Sequence, residues 1–399
     1  MEWWRNERAG AVRVKAPIYL DYQATTPIDP RVREAMLPLL GEEAFGNPHS
    51  DHWYGWRAAK AIDEAAEKVA ALLGADPGEI VFTSGATEAN NLAIRGLAMS
   101  QSPARTQILT TAIEHKCVLN SAILLCRQGF VVEFVPIDEV GRVDCDALES
   151  MLSDKTALVS VMTANNEIGT IQPIEKIGAL CRARGIPFHT DAAQAAGRVP
   201  IDAESIGADL ISLSAHKIYG PKGIGALYVS RYCPVELEPL VVGGAQQHGL
   251  RAGTVSPFLC AGLGEACRLA RLEMVRDRAH CEVLRDAFVS KLSSRVEIKV
   301  NGATESRLPG NLNVQIPGSD ASSLLASLQD RIAASTGSAC NSGLIEPSYV
   351  LTALGLTLEE ANSSIRFGFG RFTTIEEVES AATMLAERVE HYSRDLAVG

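Results

Sequence analysis

The sequence lacks a Cys-x-x-Cys pair, a run approaching 18 uninterrupted apolar residues, and any excess of basic charge. The first absence, with an odd count of nine cysteines, supports neither a disulfide-stapled secreted domain nor a zinc cluster, and it places the chain in a reducing cytoplasm. No metal site is expected. The second excludes a membrane-spanning helix, and the charges scattered through MEWWRNERAGAVRVKAP leave no apolar stretch for a secretory signal. The net charge of −11 argues against direct nucleic-acid binding, because phosphate needs a basic face, and it disfavours acidic partners too. Internal repeats and low-complexity linkers are also missing.

What is present is a 399-residue chain, 46% hydrophobic and 21% charged, with an ample core and length for roughly two to three domains. Short apolar runs alternate with helix-period segments from about residue 55 to 270. The runs IVFT (80–83), QILTT (107–111), VVEFVP (131–136), ALVSVM (157–162), IPFHT (186–190), DLISLS (209–214) and GALYV (225–229) read as strands. Ala58, Ile62, Ala65, Val69 and Leu72, spaced by three or four, read as one helix face. Strand, helix, strand repeated along the chain predicts an α/β fold with a mostly parallel seven-stranded sheet covered on both faces. Past a long helical stretch near 257–293 come VEIKV, NLNVQI, a helix, RIAAST, SSIRFGFG and a last helix opened by a Thr374–Glu377 capping box. The division is therefore a large domain over 17–270 and a smaller C-terminal α/β domain over 271–399, with the first strand region a candidate to join the smaller one. Residues 1–16 read as a loose arm, with Trp3 and Trp4 disordered or packed on the body or a partner.

Ligands of an open α/β sheet bind beyond the carboxyl ends of its strands. After IVFT comes Ser84-Gly85-Ala86-Thr87, a turn into a helix start suited to an anion. The other strand ends deliver Glu114-His115, Asn165-Asn166-Glu167, Asp191 with Gln194, and Ser214-Ala215-His216-Lys217. Any one of these alone reads as a cap, a turn or a satisfied core histidine, but together they are hard to ascribe to turns. A phosphate cradle, a carboxylate, a histidine and a lysine are what pyridoxal 5'-phosphate (PLP) needs. Lys217 is the candidate Schiff-base amine, Asp191 the partner of the ring nitrogen, His115 the stacking group and Gln194 the donor to the ring phenolate. Thr87, beside Ala86 at the helix start, forms the phosphate site with Ser214 and His216. Separately, STGSACNSG (335–343) sets Cys340 among small residues, where a thiol is expected to be exposed, mobile and reactive, or else incidental.

The motifs LDYQATTP (20–27), FGNPHS (45–50), FTSGATEANN (82–91), EHK (114–116), ANNEIG (164–169), HTDAAQ (189–194), SAHKIYGPKGIGALY (214–228), RAGT (251–254), STGSAC (335–340) and SSIRFGFGRF (363–372) carry a resemblance. From Tyr19 to Thr374 the chain resembles the cysteine desulfurases of the NifS/IscS type, within the class V aminotransferase family of fold-type I PLP enzymes. The resemblance implies the same PLP roles for Lys217, Asp191, His115, Gln194, Thr87, Ser214 and His216. It implies a homodimer in which Thr254 reaches the phosphate of the other subunit, and an Arg366 that holds the substrate carboxylate beside Asn166. It also gives Cys340 a purpose: as a thiolate it takes sulfur from L-cysteine, leaving alanine and a persulfide that passes to an acceptor protein. Lys217 then shuttles the Cα proton, and His115 serves as acid or base. Three departures are Asn341 for the commoner Thr or Ser, Ala215 for a frequent Gly, and Cys117 where a small apolar residue is usual. With no match to the C-terminal tail by which housekeeping desulfurases dock their scaffold, the acceptor stays open among iron–sulfur assembly, tRNA thiolation and DNA phosphorothioation. Selenocysteine lyase, class V aminotransferase and a non-catalytic sulfur-relay scaffold are the alternatives; the last would be expected to lose Lys217 or Asp191 first.

Overall fold

The apolar runs become strands in the structure, a computed structural model that describes residues 16–41, 44–337 and 347–398, with side chains to residue 391. The expected arm over 1–16, Ala16 apart, and Cys340 lie outside the described residues. In chain order the strands are β1 (Ile18–Tyr19), β2 (Ile80–Thr83), β3 (Gln107–Thr110), β4 (Val131–Phe134), β5 (Thr156–Ser160) and β6 (Phe188–Asp191). They continue as β7 (Leu210–Ser214), β8 (Gly225–Val229), β9 (Lys299–Val300), β10 (Asn311–Gln315), β11 (Ile332–Ala333) and β12 (Ser364–Gly368).

Seven strands form one sheet in the order β2-β8-β7-β6-β5-β3-β4. Of its interior strands, β5, β6 and β7 are buried at every residue, which is why β5 and β7 read as apolar or small runs rather than as alternations, while β6 buries His189 between the Ser160 and Ser212 hydroxyls. One face packs Val69, Leu73, Phe82, Val159, Phe188, Ile211 and Leu263, and the other packs Val81, Leu92, Ile94, Leu97, Ile108 and Leu210. The sheet is parallel from β4 through β7, but β8 runs antiparallel to both β7 and β2. The expected helical crossover between β7 and β8 does not form. Only residues 215–224 join them, with Gly220, Pro221 and Gly223 among them, too short and too broken for a crossover helix.

A further core gathers Leu20, Phe288, Leu312, Ile365, Phe367 and Leu385. The helix Pro257–Ser293 serves both ends of the molecule, giving Cys260, Leu263 and Cys267 to the sheet core and Leu284, Phe288 and Leu292 to this one. β10 pairs antiparallel with β12 and β9, and β1 pairs parallel with β11, so the chain just after β1 lies beside β12, where Asp21 bridges Gly368. This long-range pairing hangs the segment Asp21–Thr26 over the carboxyl ends of β6 and β7. Among the described residues no helix is long and apolar enough to cross a membrane.

Candidate active site

The polar rim assembles because neighbouring strands end together. Asp191 closes β6 opposite Ser212 of β7, and Ser214 at the end of β7 shares the partner Gly225 with Thr83 at the end of β2. Gly225 has to be glycine: a Cβ there would stand 2.7 Å from the backbone of Gly85. The turn carrying Ala86 and Thr87 is thereby pressed against the strand that borders Ser214.

Lys217 lies in a short 3-10 turn, Ala215–Lys217, directly after β7. Its position is fixed from the opposite side by the Asp21–Thr26 segment, whose Thr26 N–H and hydroxyl both donate to the His216 carbonyl, at 2.9 and 3.0 Å. Lys217 Nζ donates to the carbonyls of Gln23 at 2.5 Å and Ala24 at 2.9 Å. Gln194 Nε2 donates to the same Gln23 oxygen at 2.9 Å, while its Oε1 accepts from Arg198 at 2.6 Å, which leaves one amide hydrogen for a ligand. His216 Nδ1 sits 3.1 Å from the Thr25 hydroxyl, and burial, helped by Lys217, Lys222 and Arg198, lowers its pKa to about 4.

Asp191 accepts from Asn90 Nδ2 at 2.7 Å and from the Ala193 N–H at 2.9 Å. His115 caps the helix Lys116–Cys126: its Nδ1 accepts the Cys117 N–H at 3.2 Å and lies 2.9 Å from the Cys117 sulfur. Burial lowers the His115 pKa, opposed by the Asp191 carboxylate and reinforced by Lys217 and Lys116. The Ser84 N–H, by contrast, is already taken by Glu88 at 2.7 Å, and Arg251 in turn holds that carboxylate at 2.8 Å. The Ser84 and Gly85 N–H groups are thus occupied, which leaves those of Ala86 and Thr87 as the part of this helix start that could receive an anion.

On the other side Arg366, 4% exposed, donates through Nη2 to Asp21 at 2.8 Å and through Nη1 to the Asn166 carbonyl at 3.3 Å. Its Nε and the Asn166 Oδ1 are buried with no partner among the described residues. Glu167, pushed up to about 7 by burial, accepts from the Ser348 hydroxyl at 2.5 Å, and a Cβ on Gly337 would meet the same carboxylate oxygen at 2.7 Å. The described chain on either side of Cys340 thus meets at Glu167. Thr254 is exposed on the stretch before the helix Pro257–Ser293, and none of the hydrogen bonds of this cluster includes it.

The structure brings Lys217, Asp191, His115, Gln194 and His216 into one hydrogen-bonded and electrostatic cluster, with Arg366 and Asn166 joined through Asp21 to the same segment. Sequence reasoning gave no role to Asp21, Gln23, Asn90 or Arg198. Asp21 and Gln23 lie in LDYQATTP and Asn90 in FTSGATEANN, motifs quoted above, but their spacing does not reveal which carbonyl or carboxylate turns inward. Glu114 was a rim candidate and is wholly buried. Its Oε1 accepts from the Met162 N–H at 2.8 Å and the Thr111 hydroxyl at 3.0 Å, its Oε2 has no partner among the described residues, and burial raises its pKa to about 8.

That shift has a measurable sign. An acid whose pKa rises on folding favours the folded state fully below its unfolded pKa, and this support is lost as pH rises from the ordinary value toward the folded one. Between pH 4.5 and about 8 the stability of the wild type is therefore expected to fall by on the order of 1 kcal/mol per pH unit from this group. Glu114→Gln, which cannot ionise, should show a shallower decline in chemical denaturation across that window. Parallel declines in the two proteins would mean that Glu114 is charged in the folded state.

Residues 18–380 match the family model described as Aminotransferase class-V. A cysteine desulfurase IscS of Colwellia psychrerythraea is 50% identical over 386 residues, 96% of this chain and 95% of that protein. The solved structure of a NifS-like protein superposes with a TM-score of 0.88 at 36% identity, covering 94% of this chain and all of that one. A structure of SspA in complex with cysteine gives 0.79 at 38% identity, over 90% of this chain and all of the other. The matched span contains every residue of the rim and of the Arg366 pair, as well as Cys340, so the chain belongs to the class-V aminotransferase family, among its PLP-dependent cysteine desulfurases of the NifS/IscS type.

Proposed function

We propose that this protein takes the sulfur from L-cysteine, releases L-alanine, and carries the sulfur as a persulfide on Cys340 to an acceptor protein. The residues present fit the cofactor of the family. Ala86 and Thr87 at the helix start, with Ser214 and His216, would hold the phosphate; Asp191 would hold the ring nitrogen, His115 the ring face, Gln194 the phenolate and Lys217 the aldehyde carbon. Bound there, PLP supplies an electron sink for the pair left behind when the Cα–H bond breaks.

The remaining work belongs to the chain. Arg366 binds the substrate carboxylate and so orients Cα. Lys217 Nζ takes the proton from Cα and returns protons to the carbon skeleton that leaves as alanine. The Cys340 thiolate attacks the substrate sulfur: a new S–S bond forms as the Cβ–S bond breaks, and the bonding pair goes to the carbon side. The observation that carries this reading is the buried Arg366, with Nε and the neighbouring Asn166 Oδ1 both lacking partners among the described residues, held through Asp21 to the segment that also grips Lys217. A buried guanidinium with an unused N–H, next to an amine and a carboxylate–histidine pair, suits an amino acid's carboxylate.

Three further elements belong to the same proposal. The chain works as a large domain over 17–270 and a smaller one over 271–399, in keeping with the separate cores. It acts as a homodimer in which the exposed Thr254 serves the neighbouring subunit's phosphate. It resides in the cytoplasm, in keeping with eight described cysteines that are all free. The direct experiment incubates the protein with PLP, L-cysteine and a thiol reductant. Alanine and sulfide should appear in equal amounts; alanine without sulfide, or unchanged cysteine, would overturn the assignment.

Arg366 gives a sharper test. Removing a charge-assisted partner from a desolvated site costs about 2–5 kcal/mol, or roughly 30-fold or more in kcat/KM. Arg366→Ala is expected to show that loss, and Arg366→Lys, which keeps the charge but not the fork, to fall between it and wild type. Were Arg366 only the structural partner of Asp21, alanine would lower the melting temperature while the folded fraction kept its kcat/KM for cysteine.

A further inference from the structure

We propose that His115 works as a neutral hydrogen-bond donor through Nε2, that Cys117 is the positioning residue that holds it in this form, and that proton transfer is left to Lys217. The inference rests on the reading of the rim as the cofactor site. It narrows that reading, because a histidine over a cofactor ring is usually free to act as acid or base.

The argument begins with the helix start. The Nδ1 of His115 accepts the Cys117 backbone N–H, and the Cys117 sulfur lies 2.9 Å from that same nitrogen. A ring nitrogen that accepts a backbone N–H carries no hydrogen of its own, so in the neutral ring the hydrogen sits on Nε2. The sulfur contact agrees. Cys117 accepts one hydrogen of Asn90 Nδ2 at 3.1 Å, and the other hydrogen of that amide goes to Asp191 Oδ2 at 2.7 Å. The amide cannot be reversed, because its oxygen would then face the Asp191 carboxylate. With the sulfur's acceptor side used by Asn90 and by the Thr87 hydroxyl, and its thiol pushed up to about 12 by burial and by Asp191, Cys117 keeps its S–H, and Nδ1 is within its reach as an acceptor.

Protonation of His115 is opposed from several sides. It would have to occur at Nδ1, which would break the cap of the helix Lys116–Cys126 and set donors against each other. The ring also sits at the positive end of that helix. The charged groups that face it are Asp191 from β6, which favours the imidazolium, and Lys217 and Lys116, which disfavour it along with burial.

A ring with its hydrogen on Nε2 and its Nδ1 lone pair committed has no free site at which to take a proton, and releasing one would leave an imidazolate. It can, however, point a fixed N–H at negative charge that develops on the bound substrate or cofactor, which is how a preorganised donor lowers a barrier. Cys117, through Asn90, also fixes the orientation of Asp191, so one buried thiol links the groups assigned to the ring face and the ring nitrogen.

The test is nitrogen NMR of protein labelled with 15N-histidine, recorded without cofactor and after reconstitution with PLP. His115 is expected to show a pyridine-like Nδ1 and a pyrrole-like Nε2 from about pH 6 to 8, across the ordinary histidine pKa. Cys117→Ala, which loses the S–H donor but keeps the backbone cap, should move the protonation midpoint upward, and Cys117→Ser, which restores a hydroxyl donor, should move it back. In turnover, His115→Gln keeps an N–H donor and should retain about tenfold more kcat than His115→Ala, the value of one hydrogen bond in a closed site. A pyrrole-like Nδ1, an imidazolium at neutral pH, or a glutamine variant no better than alanine would overturn the proposal. The spectra without cofactor read the tautomer even if the protein proved not to desulfurate cysteine, so failure of the function and failure of this inference are distinguishable.

Discussion

Lys217→Ala is expected to leave a folded protein that neither keeps the yellow cofactor absorbance nor releases sulfide, a loss of at least about 10³-fold in turnover. In the proposed function the amine has two tasks, anchoring the cofactor carbon and moving the Cα proton, and no neighbour among the described residues is placed to take them over. Lys222, the nearest lysine in sequence, is exposed, and the Lys116 ammonium lies 5.7 Å over the Tyr349 ring. The cost to stability should be small by comparison. Lys217 donates to the Gln23 and Ala24 carbonyls, so alanine leaves Ala24 short of a donor while Gln194 still serves Gln23, a penalty of about 1–2 kcal/mol. Lys217→Arg separates the two effects, because a guanidinium can still donate to both carbonyls but is not a nucleophile. It should restore the melting temperature and leave activity lost. Steady sulfide release by either variant would remove Lys217 from the chemistry.

How much of this was legible beforehand depended on the range of the interaction. The buried strands such as β2, β5 and β7 were readable because burial on both faces enforces apolar runs, the exposed edge strand β4 by its β-branched and aromatic residues, and the rim residues because each follows a strand within a few positions. The helix Pro257–Ser293 and the Thr374–Glu377 capping box were readable as local patterns, and the box forms with reciprocal bonds of 3.0 and 3.2 Å. The reversed direction of β8 was missed, although the shortness of 215–224 held the clue. VEIKV and RIAAST form only the two-residue strands β9 and β11, because β9 lies exposed beside β10 and β11 finds its partner in β1 near the other end of the chain. The site was half visible for the same reason. Asp21 pairs with Arg366 across 345 residues, and no local pattern announces such a contact. Cys117 was noticed as unusual for its position, but its significance depends on Asn90 and His115 converging on one sulfur, which only the packed fold establishes.

Cys340→Ser is expected to divide the reaction in two. Serine preserves the size of the side chain, but its hydroxyl is far too weak an acid to furnish the nucleophile and cannot carry a second sulfur, so sulfide release should fall by about 10²-fold or more. The residues proposed to hold the cofactor lie on other elements, so PLP should remain bound and adding L-cysteine should still change its absorbance. The other cysteines cannot stand in. Burial pushes Cys117, Cys181, Cys260 and Cys281 up to about 12 and Cys267 higher still, which leaves them protonated and inert. Cys126 alone among the described cysteines is exposed, at the far end of the helix that His115 caps, and Cys126→Ser should keep full activity. Mass spectrometry of wild type treated with L-cysteine in the absence of reductant should find one added sulfur atom on the peptide that contains Cys340, and none in the Cys340→Ser protein. If that variant still released sulfide at the wild-type rate, or if the added sulfur appeared on a different cysteine, the carrier would have to be sought elsewhere in the chain. If instead it lost its cofactor, Cys340 would belong to the binding site rather than to sulfur transfer.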